Sequence, residues 1–254
     1  GRAVDLLRKA VALRPGEVAF HVLLATTLAA AARHEEAIAS YRTVLALDPG
    51  DAQAANNLGC IFRDQGNTGK ARECFETAVR VQPGLVEAHY NLGNMLREVG
   101  DHHRAIEHFR AALAAQPGHA RVWNDLGCAL QLLGRLEEAA DAFQRAVGED
   151  PDYGIGYKNL AGALRELGRL DEAEKNYERA LHFFPQDPAV AHYLGALRNA
   201  NPARASVAYV KEMFDAFAQN FDETLVKRLH YRTPALLFEA VRSALGQRSP
   251  PQKV

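Results

Sequence analysis

The chain has 254 residues, 48% of them hydrophobic and 24% charged, with a formal net charge of −1. That composition suits one large folded domain or two small ones, and the charge balance leaves no whole-chain field to draw it to nucleic acid or an anionic membrane. No run of about 18 apolar residues exists to span a membrane as a helix, and three cysteines without CxxC spacing, Cys60, Cys74 and Cys128, fit a reducing, cytoplasmic compartment.

The first residues, GRAVDLLRKA, carry no initiator Met and no charged-then-apolar leader pattern. They already lie inside a helical pattern, so we expect the N-terminus to be cut from something longer. Arg2 to Leu13 reads as a lone second helix. Five helix–turn–helix units follow, at about residues 18–51, 52–85, 86–119, 120–153 and 154–187, and one first helix, Ala189 to Arg198, comes after them. The first full unit is the least regular. It has Ala25 where the next three units carry glycine and Ala32 where all four later units do, and its LLATTLAAAA stretch is unusually apolar. That stretch is expected to pack on the lone N-terminal helix or on a missing neighbour.

The units are set by period. Prolines fall at Pro15, Pro49, Pro83, Pro117, Pro151 and Pro185, each 34 residues after the last. Leu58-Gly59, Leu92-Gly93 and Leu126-Gly127 keep the same register, as do the turn glycines Gly66, Gly100, Gly134 and Gly168. Ala37, Ala71, Ala105, Ala139 and Ala173 recur, and so do the rings Tyr41, Phe75, Phe109, Phe143 and Tyr177. Each landmark has a physical task. The small residue after Leu allows close approach of the paired helices, and the Ala and the ring fill the space against the next element. The turn glycine reverses the chain and the Pro stops the second helix. A single pair cannot bury its apolar face, so the pairs must stack.

This 34-residue pattern resembles the tetratricopeptide (TPR) repeat over about residues 1 to 200. The resemblance implies an all-α, right-handed solenoid and a groove that binds a protein or an extended peptide.

After Asn199 the register breaks at NANPARA. Val207, Val210, Phe214, Phe217 and Phe221 then form an apolar stripe at helical spacing. Asp222 is placed to cap a short helix with Leu225 and Leu229, and Thr233-Pro234 to start another ending near Gly246. Tyr209, Phe214-Asp215, Phe221-Asp222, Leu225, Tyr231 and Pro234 together resemble the leading helices of a class I S-adenosylmethionine-dependent methyltransferase of the kind preceded by TPR repeats. The resemblance implies S-adenosylmethionine as cofactor of a longer parent, with Tyr209 and Tyr231 helping to cover it. The Gly-rich cofactor turn is not in the sequence, so this chain by itself is expected to hold no cofactor and no metal and to perform no catalysis. We expect a boundary at residue 200, with 201–254 a helical extension that caps the solenoid.

No GxSxG, HExxH, P-loop or GxGxxG is present. The candidate partner groove comes from polar residues that repeat with the period. Asn57, Asn91, Asp125 and Asn159 precede the landmark Leu in successive units, and Arg63, Arg97, Gln131 and Arg165 follow it by five. Tyr90, Asn94, Asn124 and Lys158 lie near them. An Asn amide offers both donor and acceptor to a peptide backbone, and such a ladder is similar to the one lining the TPR region of O-linked GlcNAc transferases. Chaperone-tail adaptors of the TPR family hold two carboxylates with Lys, Asn, Asn, Lys and Arg. The matching positions here are Tyr90, Asn94, Asp125, Ile155 and Asn159, so that clamp is not expected. His21 and His89 share a repeat position with Trp123 and Tyr157 and are expected to pack between helices, while His102, His103 and His108 gather near one turn as a weak metal candidate. Self-association through open repeat ends is the structural alternative to a binding scaffold.

Overall fold

The protein is described by a computed structural model, which places residues 1–198. Among them are twelve α-helices and no strand: α1 (Arg2–Leu13), α2 (Val18–Ala30), α3 (His34–Leu47), α4 (Ala52–Asp64), α5 (Thr68–Val81), α6 (Val86–Glu98), α7 (His102–Ala115), α8 (Ala120–Leu132), α9 (Leu136–Glu149), α10 (Gly154–Glu166), α11 (Leu170–Phe183) and α12 (Pro188–Leu197). Two compact units are distinguished, Gly1–Pro185 with α1 to α11, and Gln186–Val254, of which α12 is the described helix. The boundary expected at residue 200, the Phe stripe, the Asp222 and Thr233-Pro234 caps, Tyr209 and Tyr231 all lie outside the described residues.

Within the first unit the expected pairs form, α2 with α3 through α10 with α11, and each second helix packs on the next first helix. The lone helix α1 packs on α2. First helices also touch each other, α4 on α6, α6 on α8 and α8 on α10, so they make a continuous layer. Residues one period apart on these helices therefore stand side by side.

The landmarks do the packing work expected of them. Phe75, Phe109 and Phe143 are fully buried, as are the five repeated alanines; each such ring contributes about 2–3 kcal/mol by leaving water. A Cβ placed on Gly59, Gly93 or Gly127 would lie 2.7, 2.7 and 2.6 Å from the ring of Phe75, Phe109 and Phe143, so the paired helices meet at hydrogen's expense only. Where the glycine is replaced, by Ala25 and Ala161, the ring of that unit is a tyrosine, Tyr41 or Tyr177.

Each helix pair turns through a left-handed residue. Gly66, Gly100, Gly134 and Gly168 have φ of 75°, 84°, 72° and 76°. The surrounding bonds close the helix end, with Gly66 N–H donating to Arg63 O and Asn67 N–H to Phe62 O. Ala32 holds the same place in the first pair at φ 55°, the one non-glycine with positive φ among the described residues. An L-residue there costs about 1–2 kcal/mol.

Candidate partner-binding groove

The ladder residues lie midway along α4, α6, α8 and α10, on the layer of first helices. Their side chains join successive units by a contact that repeats on a diagonal. Asn91 Nδ2 donates to Asn56 Oδ1 at 2.9 Å, and Asn159 Nδ2 donates to Asn124 Oδ1 at 2.8 Å, each pair 35 residues apart. Between them, also 35 apart, Tyr90 donates its hydroxyl hydrogen to Asp125 Oδ2 at 2.8 Å. We call these three contacts rungs. Asn56 and Asn124 are buried, so their carbonyls need the partners they have. An ionised Asp accepts only, and at the rung where Asp replaces Asn the opposing residue is a tyrosine that can donate. Burial, and then the Asp125 charge, push the Tyr90 phenol up to about 12, so its proton stays on the rung.

The rungs change what the ladder shows to a partner. The amide nitrogens of Asn91 and Asn159 point inward, each also lying beside a thiol, Cys60 at 3.5 Å and Cys128 at 3.7 Å. Outward capacity is then mostly carbonyl oxygen. Asn57, at the start of the ladder, accepts from Gln53 Nε2 at 3.2 Å and bonds the Tyr41 hydroxyl. Burial holds all three thiols above their ordinary value, Cys74 and Cys128 at about 11, so they remain protonated.

Arginines supply the donors. Arg63 donates from NH1 to Asn91 Oδ1 at 2.9 Å and pairs with Asp64 at 3.3 Å. Arg97 donates from NH2 to Asn94 Oδ1 at 3.3 Å, while its buried Nε has no protein partner. In the next unit Gln131 Nε2 donates to Glu166 Oε1 at 2.9 Å, which ties that position to α10. Lys158 and Arg165 keep the same registers on α10, both half-buried.

An open cleft of about 420 Å³ lies on this face between α4, α6 and α8. It brings together six of the sequence candidates: Arg63, Tyr90, Asn91, Asn94, Arg97 and Asp125. Asn57, Asn124, Gln131, Lys158, Asn159 and Arg165 do not line it. Met95, Glu98, Arg121 and Tyr153 line it and were missed. Arg121 falls at a register where the other units carry Gln53, Glu87 and Ile155, and Tyr153 precedes α10 in a loop, so neither repeats with the period.

The shared histidine position has a specific bond as well as a packing role. His21 Nε2 lies 2.9 Å from Pro15 O, His89 Nε2 3.0 Å from Pro83 O, and Trp123 Nε1 donates to Pro117 O at 2.7 Å. A ring N–H there latches the landmark proline's carbonyl, and a run of His and Trp at one register was the available signal. In a neutral His89 ring, Nε2 donating to the carbonyl leaves Nδ1 to accept from His108 Nδ1, 3.0 Å away. Burial, then the neighbouring His89, hold His108 below its ordinary value. The His102, His103 and His108 cluster is not assembled: His108 turns to His89, and among the described residues no three His, Cys, Asp or Glu converge to hold a metal.

Among the described residues no helix is long and apolar enough to cross a membrane. No curated protein sequence matches the chain. Among solved structures it is similar to YrrB, a TPR protein with an unusual peptide-binding site, at 21% identity and TM-score 0.65, over 75% of this chain and 98% of that one. It is similar to MamA at 23% identity and TM-score 0.60, over 65% and 91%. PilF of Pseudomonas aeruginosa matches at 18% identity and TM-score 0.62, over 95% and 99%. These similarities establish the fold. Tetratricopeptide repeat profiles match residues 56–120, 96–154 and 124–188, and a second such profile matches residues 16–83. With that coverage, and with the period, turns and ring packing described above, the chain belongs to the tetratricopeptide repeat family.

Proposed function

We propose that this chain is a protein- or peptide-binding scaffold whose groove is the first-helix layer from α4 to α10. One observation carries the reading: a single open cleft gathers Arg63, Arg97 and Arg121 as donors beside carbonyl and carboxylate acceptors on Asn91, Asn94 and Asp125. An extended backbone needs donors and acceptors of that kind, together with pockets for side chains. The peptide-binding site named for the similar fold of YrrB supports it at the level of fold. Three arginines against Glu98 and Asp125 give the cleft a small net charge, which favours a protein or peptide partner over nucleic acid or an anionic membrane.

Asn91 and Asn159 are poor test positions, because each holds a buried neighbour. Asn94→Trp is better, since it fills the cleft from a half-buried position. Peptides selected on the wild-type chain from a random displayed library are expected to lose binding to this variant while its circular dichroism is unchanged. Undiminished binding would refute the groove.

On the sequence resemblance of Tyr209 to Pro234, we further propose that 201–254 is the leading segment of a methyltransferase and that the repeats recruit its substrate or a partner. The cofactor of that parent would be S-adenosylmethionine. A parent reading frame with a Gly-rich turn shortly after Val254 supports this, and any other continuation sinks it. Self-association is a second reading, favoured by Leu6 and Leu13 of α1, which are 59% and 83% exposed; light scattering that rises with concentration would establish it.

A further inference from the structure

The groove face is not chemically uniform. In the four registers compared, α4, α6, α8 and α10 carry Asn, Arg, Gln, Tyr, Asp, Glu and Lys, with Leu132 as the one apolar residue. On α2 the same registers carry Val22 for Asn56, Leu23 for Asn57, Ala29 for Arg63 and Ala30 for Asp64. Leu23 is 52% exposed, where later units place the ladder residue. Thr26 and Thr27, the hydroxyls on this stretch, donate to Val22 O at 2.9 Å and Leu23 O at 2.6 Å and so add no free polar group. The α2 end of the groove is therefore an apolar surface continuous in register with a polar one.

Donors are in surplus where the polar part begins. Arg63 is engaged by Asn91 and Asp64, yet a guanidinium has five N–H groups, and Arg97 makes a single hydrogen bond, to Asn94, its Nε being buried out of a partner's reach. Of the nearby acids, Asp64 faces Arg63 and Asp125 receives Tyr90 and Asn124. Glu98 is the one further acid in the cleft, and both guanidinia line it, where a partner's acceptor can reach their remaining N–H groups.

We propose that the groove takes an extended peptide segment with apolar side chains at one end, seated on Leu23 and its neighbours, and an acidic residue about five positions away, seated between Arg63 and Arg97. This rests on the groove reading above. The spacing is an order-of-magnitude one: α2 and α4 both pack on α3, packed helices lie about 8–10 Å apart, so α2 to the middle of α4 and α6 is about 15 Å, and an extended chain advances about 3.3 Å per residue. Carboxylate and guanidinium meet with two N–H donors in register, which a lysine at either position would not provide.

The test is selection of random twelve-residue displayed peptides on the full 254-residue chain, with counter-selection on Asn94→Trp. Groove-dependent peptides are expected to pair apolar residues with Asp or Glu about five positions off. Changing that acid to its amide is expected to weaken binding about fivefold on the wild-type chain and to have no effect on Arg97→Gln or Arg63→Gln. Leu23→Asp is expected to penalise peptides through their apolar end alone. Groove-dependent peptides that lack the acid, or an amide change that costs as much on the Arg97→Gln chain as on wild type, overturn the proposal and leave the groove intact. Failure to recover any peptide that depends on Asn94 overturns both.

Discussion

The Tyr90–Asp125 rung gives the most direct check on how the units are joined. Removing the phenol with Tyr90→Phe keeps the ring, which lies 6.3 Å from Phe109 and 6.0 Å from His119, so packing is preserved and the hydrogen bond is lost. A bond to a charged acceptor is worth about 1.5–3 kcal/mol when enclosed. Both partners are half-buried and water reaches the groove, so the expected value is about 1 kcal/mol. A cycle of Tyr90→Phe, Asp125→Ala and the double variant, read by urea unfolding, should show that coupling. The same rung has an alkaline signature. The folded phenol titrates near 12 and the free one near 10, so the fold keeps its proton longer than the unfolded chain does. Its contribution is complete below pH 10 and is lost as pH rises towards 12. Tyr90→Phe should shrink the alkaline loss of stability, with the remainder carried by Tyr41, Tyr153 and the three thiols, which burial also raises. Coupling below about 0.3 kcal/mol, inside the additivity expected of independent sites, together with an unchanged alkaline limb, would show that the rung is an incidental contact.

Two further outcomes follow from residues already placed. Ala32→Gly removes about 1–2 kcal/mol of left-handed strain and returns about 0.4–1 kcal/mol through the freer unfolded chain; a net gain of about 0.5–1 kcal/mol in urea is expected, and a loss would refute the strain. His108 is held neutral by burial and by His89, below its ordinary 6.5, so its contribution is present above pH 6.5 and is lost as pH falls below it. The drop in urea midpoint between pH 7.5 and 5.5 should be smaller in His108→Gln, and an equal drop in both proteins would count against the pair.

Most of the fold was legible because its determinants repeat. A Pro every 34 residues, the left-handed glycines and the Gly–Phe contacts are local rules applied again and again, and one period found in the sequence locates them all. Ala32 was visible as a departure from that rule, though its φ of 55° was not. The site was only half legible, and the reason is geometric. Reading down a register lines up Asn57, Asn91, Asp125 and Asn159 as a column. The contacts run on the diagonal, 35 residues apart rather than 34. A column suggests three amides and a carboxylate, all facing a ligand. The diagonal shows amides spent on neighbours, and it accounts for Asp125 through Tyr90. Arg121 and Tyr153 could not be read at all, since they reach the cleft from positions that carry a different residue type in each unit.

The ring-to-proline latch has a consequence for how the array comes apart. His21, His89 and Trp123 each bind the proline carbonyl six residues back, but the same register after Pro49 is Ala55, which has no ring to offer, and after Pro151 it is Tyr157, whose ring stacks on Phe183 and carries no N–H. A linear array held by neighbour contacts behaves like a chain of beads whose weakest coupling decides where it parts. Hydrogen exchange should therefore run faster across the unlatched seams, at Asp48 to Ala52 and at Asp150 to Gly154, than across the latched ones between them, so that the α4–α9 block holding the arginine-lined cleft opens last.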